Sequence, residues 1–526
     1  NSRVVKDVKV GEHCYVKGAN KLKNLTINSS REEPTQIGEG VELVNGIIGR
    51  GCRIFYGCKA VRFIMGNNCS LKYGARLIHS FMGDNSTVSC CELLNNLIFP
   101  AHEQHHNNSF LVAALVLGQS NIAAGATIGS NHNSRSNDNE IIAGRGFWPG
   151  LCTSLKHSSR FASFVLLSKA DYPAELDIPL PFSLVSNNAA QNRLEVMPAF
   201  WWLYNMYALA RNSWKFAARD RRIHKEQNVE FDSLAPDTVE EIIRARDLLE
   251  LWTGTALEGG SNDGRTDGRL EKTKNAAPKP DPALRAAGHA YLTANDGPDD
   301  LLVWAPGLEK GRRGAVILKP RRAYEAYGQM LHHYACSNLL AWLEGNRKRT
   351  YASMCRTLAG ERVTEWANLG GQLVPESGMD TLRVDIGSGA LTSWNAEHAR
   401  YNELWAAYPL EKQRHAFAVY CLVARELAAV REPDGEDGEE ESGSRAQGSR
   451  ACISEDGTPH VSIWRDFLAG GIAIQELVRD RVYESRKKDY ENPFRMATYR
   501  NDAEMTAALG TVDKNSFVIR VREETE

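Results

Sequence analysis

The chain has 526 residues, of which 42% are apolar and 24% charged, and its formal net charge is −2. Those values are ordinary for a soluble protein, and the near-zero charge argues against a general nucleic-acid binder. No run of about 18 apolar residues is present to cross a membrane as a helix, and length alone favours about three domains, fewer if units merge into a solenoid. No signal-peptide pattern opens the chain. It begins at Asn1 rather than Met, with a repeat already recognisable near residue 10, as expected of a chain trimmed at its start or lacking leading coils.

The first part of the chain is periodic. Ile48-Gly49, Met65-Gly66 and Met82-Gly83 stand at a spacing of 17, twice in succession. Within the period, Ile54 and Ala60 follow Ile48, Leu71 and Leu77 follow Met65, and Val88 and Leu94 follow Met82. Ile37-Gly38 with Leu43, and Val10-Gly11 with Cys14 and Val16, fit the same frame. A small residue, as at Cys52, Cys58, Cys69, Ala75 and Ser86, stands four places after the lead position. This is the pattern of a solenoid coil with three short strands, each giving the narrow interior one large and one small side chain. Gly49, Gly66 and Gly83 are expected at corners hostile to a Cβ. A β-sandwich also has short strands and Gly-rich turns, but it would not hold this register. At least four of the eleven cysteines fall in the small inward slot, where Cys acts as a small hydrophobe. No CxxC occurs, so a reduced, cytoplasmic setting is expected.

Residues 37–99, with Leu117-Gly118, Asn121-Ile122-Ala123-Ala124-Gly125-Ala126 and Ile128-Gly129, resemble the hexapeptide-repeat superfamily of trimeric acyltransferases. The resemblance covers roughly residues 1–190. It implies a left-handed parallel β-helix; the handedness rests on the resemblance, since general physics favours right-handed crossovers. It also implies a homo-oligomer, a trimer. The whole chain is similar to an uncharacterised member family with a large helical C-terminal extension.

The beat is interrupted where chemistry-bearing residues gather. Phe99-Pro100 is expected to keep the frame, after which 101–109 (Ala-His-Glu-Gln-His-His-Asn-Asn-Ser) reads as a bulge or loop leaving the prism. A second polar run, 130–138, follows Ile128-Gly129, and a third is Lys156-His157-Ser158-Ser159-Arg160. In the acyltransferases that the coils resemble, a His at a coil edge deprotonates the acceptor, a role suited to its pKa. On that reading His102, His105, His106 and His132 are candidate bases. Glu103 and Asp138 would orient them, and Asn107, Asn131, Arg135 and Trp148 would contact substrate. The Asn121–Ala126 stretch is similar to a motif of acetyltransferases whose neighbouring coils bind acyl-CoA, with Ala126 where that motif ends in a polar residue. Zinc held by three His, with His132 or His157 completing the set, is an alternative use of the same residues. The plain alternative is polar loop histidines hydrogen-bonded to Asn and Ser.

Residues 140–190 are expected to cap the solenoid, with Gly144–Gly150 as a turn-rich aromatic strip and Ile178–Phe182 as an extended exit segment. Beyond them the chain reads as helical. Helices are expected over 198–220, from Asp237 to Leu251, and over 282–294, 320–346, 396–430 and 461–489. The resulting division is a solenoid at 1–190, a helical domain at 191–430 with a loop-rich insertion at 253–318, an acidic flexible insertion at 431–460, and a C-terminal helical segment and tail at 461–526. Arg219-Asp220-Arg221-Arg222 reads as a solvated helix end, or as a grip for phosphate. The function expected is acyl-CoA-dependent transfer to a sugar or sugar-nucleotide acceptor, with a small-molecule substrate and neither nucleic acid nor membrane as partner. A non-catalytic scaffold is the alternative.

Overall fold

The computed structural model describes residues 2–130, 139–258, 281–294, 301–311, 313–346, 350–431 and 460–526. Its N-terminal part is a β-solenoid of about 10 turns, and a mainly helical region follows. Successive coils pair in parallel. One inward column runs Val10, Ile27, Ile48, Met65, Met82, Ile98, Val116, Ala143, Phe161 and Ile178, each in register with the next. From Ile48 to Ile98 these side chains are essentially removed from water. Burial of each contributes roughly 1.5–3 kcal/mol, and only stacking provides it.

The expected frame slips in three places. Leu77 pairs with Leu93, not Leu94, because the turn at Cys90-Cys91 is one residue shorter than its predecessor. Leu93 is therefore fully buried, and Ile98 rather than Phe99 stands beside Met82. The polar stretch after it leaves the prism only at 105–108, since Glu103-Gln104 pairs with Thr87-Val88 as an ordinary rung. Residues 140–178 are not a cap but further coils, with Phe147 fully buried inside them. The end is closed instead by the antiparallel pair Leu184–Asn188 and Arg193–Met197, extended by Ala315–Ile317 and Val303–Trp304.

Glycine has another role than the one expected. Gly49, Gly66 and Gly83 do not adopt left-handed φ. A Cβ on Gly49 would come within 2.5 Å of the Gly66 carbonyl carbon, and one on Gly83 within 2.6 Å of the Pro100 nitrogen. They are small because the next coil passes over them. Many left-handed corners are held by other residues, such as Asn45 (φ 56°), Arg62 (φ 51°), Asn68 (φ 55°), His79 (φ 48°) and Asn85 (φ 58°). Asn tolerates this region better than most residues.

The helices are α1 (Phe200–Tyr204), α2 (Met206–Arg219), α3 (Pro236–Leu257), α4 (Pro282–Thr293), α5 (Pro320–Gly345), α6 (Tyr351–Leu358), α7 (Glu376–Gly387), α8 (Trp394–Arg431) and α9 (Val461–Tyr490). The segment expected as one helix from 198 to 220 breaks at Asn205, whose φ of −137° is not helical. Helix α5 packs against α3, α8 and α9. A short hairpin, Trp366–Leu369 with Gln372–Pro375, lies between α6 and α7 and has no counterpart in the sequence reading.

Candidate functional site

His102 is inside the solenoid. Its place in the coil is the small slot that Cys52, Cys69 and Ser86 fill below it and Ser120 above it, as the ladder of amide bonds shows. An imidazole fits because Ser86 and Ser120 on either side are small. Nδ1 lies 2.8 Å from the Ser120 hydroxyl and Nε2 3.3 Å from Gln104 Oε1. Gln104 takes the large slot in line with Val88 and donates to the Ser109 hydroxyl at 3.1 Å. Burial holds the His102 imidazole down to about 4, against the pull of Gln104 and Glu103. His102 is thus a neutral core group, fully removed from solvent. It does not face a cleft, as the expectation of a catalytic base required.

His105, His106 and Asn107 form the exposed loop between the rungs. The two imidazoles lie 4.4 Å apart. Asn107 turns back on its own loop, accepting the Asn108 amide at 2.8 Å. Partial burial lowers the His105 pKa, and the neighbouring His106 and Lys215 push the same way against Glu103. His132, Asn131, Arg135 and Asp138 lie outside the described residues.

Beside this loop, helix α2 crosses the solenoid wall and leaves a cleft of about 60 Å³. Glu103, Asn121 and Trp148 contribute from the coils, and Asn212, Lys215 and Phe216 from α2. Lys215 Nζ is 3.5 Å from Glu103, both side chains mostly buried. The Trp148 ring sits 5.6 Å from Trp201. The structure therefore brings Glu103 and Trp148 together in this cleft, while His105 stays on the exposed loop outside its lining and His102 lies inside the prism. Lys215 and Asn212 carried no sequence signal, because only tertiary packing sets α2 against these coils. Asn121 was visible as the head of the Asn121–Ala126 motif.

The segment after α2 straps the helical region to the solenoid. Arg222 is buried, with NH1 2.7 Å from Asp84 and Nε 2.8 Å from Asp220. Arg219, the last residue of α2, and Arg221 are exposed as expected of a solvated helix end, whereas Arg222 is committed to these carboxylates and is no free phosphate grip. Asp84 Oδ1 accepts the Asn67 amide at 2.7 Å, and Gln227 accepts the Asp84 amide at 2.8 Å. Burial would raise the Asp220 carboxyl, but Arg222 beside it holds it down to about 2. Further along, Glu33 accepts the amides of Ile223 and His224, and Arg145 makes a bidentate pair with Asp237 at 2.7 Å. Such a paired, satisfied arrangement is a requirement for burying charge at all.

Among the described residues, no group of three or more His, Cys, Asp or Glu is placed to hold a metal ion. No described helix is long and apolar enough to cross a membrane.

Residues 1–252 match the family model of a domain of unknown function, DUF4954. That stretch runs from the solenoid through the strap and most of α3. The chain is also 48% identical over 531 residues to a protein of Treponema pallidum (strain Nichols) described as uncharacterized. The alignment covers 99% of this chain and 65% of that relative's length.

Proposed function

We propose that the protein transfers a short acyl group from acyl-CoA to a hydroxyl or amine of a sugar or sugar-nucleotide acceptor, with His105 as general base. The observation that carries this reading is the convergence of Glu103, Asn121, Trp148 and Lys215 in one cleft, with His105 on the exposed loop that follows Glu103-Gln104. A cavity of about 60 Å³ is too small for a whole cosubstrate but suits an acetyl-sized group. With its pKa lowered, the His105 imidazole carries a free lone pair at neutral pH. It would take the acceptor's proton as the acceptor oxygen or nitrogen bonds to the thioester carbonyl carbon. The C–S bond then breaks, and the CoA thiolate leaves and is protonated. The Lys215 ammonium and the Asn121 and Asn212 amides are donors for the oxyanion formed on the way. Among the described residues every cysteine is free, which suits a reducing, cytoplasmic compartment.

The test is release of CoA from acetyl-CoA in the presence of a UDP-amino sugar. His105→Gln should lower kcat by about 10²–10⁴-fold with KM little changed. Full turnover by that variant would remove His105 from the mechanism, and no turnover by the unaltered chain would remove the reading.

A second reading, an assembly protein, is favoured by one observation. Leu97, Leu115 and Ile142 stand in a row on the outside of paired strands, with Leu97 44% and Ile142 37% exposed. A contiguous apolar row of this kind suits a second copy, as in a trimer. Leu97→Lys with Ile142→Lys should then lower the mass found by sedimentation equilibrium; an unchanged mass would count against it.

A further inference from the structure

A groove of about 800 Å³ crosses the early coils, far larger than the cleft beside α2. Its spine is a column of left-handed corner residues, Asp7, Asn24, Asn45, Arg62 and His79, one from each successive coil. Coils stack at about 4.8 Å, so Arg62 and His79 are adjacent along the spine. The His79 amide bonds the Val61 carbonyl at 2.9 Å, which fixes that adjacency. On one side the groove is apolar, with Ile47, Ile64 and Phe81 in register; Ile47 is 46% and Ile64 43% exposed.

Two cations, Lys9 and Arg62, line the groove with one carboxylate, Asp7, and His79 adds an imidazole. Of the outward charges nearby, Lys59 pairs with Glu42 and Arg76 with Glu92. Among the described residues Arg62 makes no ion pair. Its rung departs from the pattern of its neighbours: Asn24 and Asn45 suit a left-handed corner and bond to each other at 3.0 Å, whereas Arg62 bears the same φ with a long cationic side chain. A planar guanidinium beside an imidazole is a donor set for phosphate oxygens.

We propose that this groove binds a small phosphate ester, its phosphate on Arg62 and His79 and its planar or apolar organic part along Ile47, Ile64 and Phe81. The volume lies within the range of small-molecule sites. This site does not depend on the transferase reading, since it shares no residue with the cleft beside α2.

The test is isothermal titration of the full chain with adenosine 5′-monophosphate, and separately with adenosine and with inorganic phosphate. Binding of the ester is expected, with each separated half weaker by about tenfold or more. Arg62→Gln should weaken the ester by about tenfold or more, whereas Arg76→Gln, at the paired position outside the groove, should leave it unchanged. A circular dichroism melt confirms that both variants fold. No binding of the ester, or equal binding by Arg62→Gln, would overturn the proposal. So would inorganic phosphate binding as tightly as the ester. Cosedimentation with phosphatidylcholine vesicles containing phosphatidic acid, lost in Arg62→Gln, would reassign the groove to a lipid headgroup and overturn the small-molecule site.

Discussion

Replacing His102 by Gln tests whether the solenoid interior holds a neutral imidazole. The folded pKa is about 4 and the ordinary value 6.5. As pH falls, the unfolded chain therefore takes up the proton first, and His102 costs the fold stability. The loss begins near the unfolded value and levels off below the folded one. Between about pH 7 and about pH 4.5 the linkage amounts to about 2.5 kcal/mol. Other groups titrate over the same range, so the measured quantity is the difference between the two proteins. Urea unfolding followed by circular dichroism at the two pH values should show the unaltered chain losing about 2.5 kcal/mol more than His102→Gln. The variant keeps an amide for Ser120 and fills much of the slot, so its own cost at neutral pH does not enter that difference. Equal losses in the two proteins would refute the reasoning. An imidazole resonance of His102 titrating near its ordinary value would refute it as well.

Other consequences follow from the strap and the coils. Arg222→Ala leaves the buried Asp84 carboxylate unpaired and should destabilise by about 3–5 kcal/mol; pairing it with Asp84→Asn should recover much of this, as measured by denaturation of the double variant. Asp220 has a depressed carboxyl, so its contribution is present above the ordinary carboxylate range and is lost as pH falls through about 2. The Asp220 carboxyl carbon resonance should accordingly still report the charged form at about pH 4 and titrate only near that lower value. Gly66→Ala would bring a Cβ within 2.7 Å of the Asp84 amide nitrogen, under the next coil. It should cost about 1–3 kcal/mol, seen as a lower melting temperature. Gly74→Asn, at a left-handed corner with open space around it, should cost less.

The coil was legible because its signal is local and repeated. Ile48, Met65 and Met82 each meet the same steric demand, so periodicity alone exposes them. The inward cysteines at 52, 58 and 69 were legible for the same reason, and they are fully buried. Register beyond Met82 was less so. One residue lost at Cys90-Cys91 shifts the side chains from there to the 105–108 loop by a place, and no composition marks the loss. That shift carried His102 into the small slot and Gln104 into the large one. A polar run that looks like an exit from the prism proves half interior, because Ser86, Ser109 and Ser120 satisfy it. The site could be read only in part. Glu103, His105 and Trp148 could be picked out by residue type, but Lys215, the partner of Glu103, lies more than a hundred positions beyond it along the chain.

The sequence by itself determined that coils form and stack, since each coil leaves an apolar face that the next must cover. It also determined the long helices, through apolar spacing and through capping residues such as Pro236 and Pro282 at their first turns. Tertiary structure decided which polar groups are interior and which face solvent. It decided that Arg222 is a buried strap rather than a free cation, and that α2 completes a cleft over Trp148. The physical reason is range. Packing of a repeat is dictated by residues a coil apart, whereas the burial and pairing of a charge depend on whichever distant segment comes to lie against it.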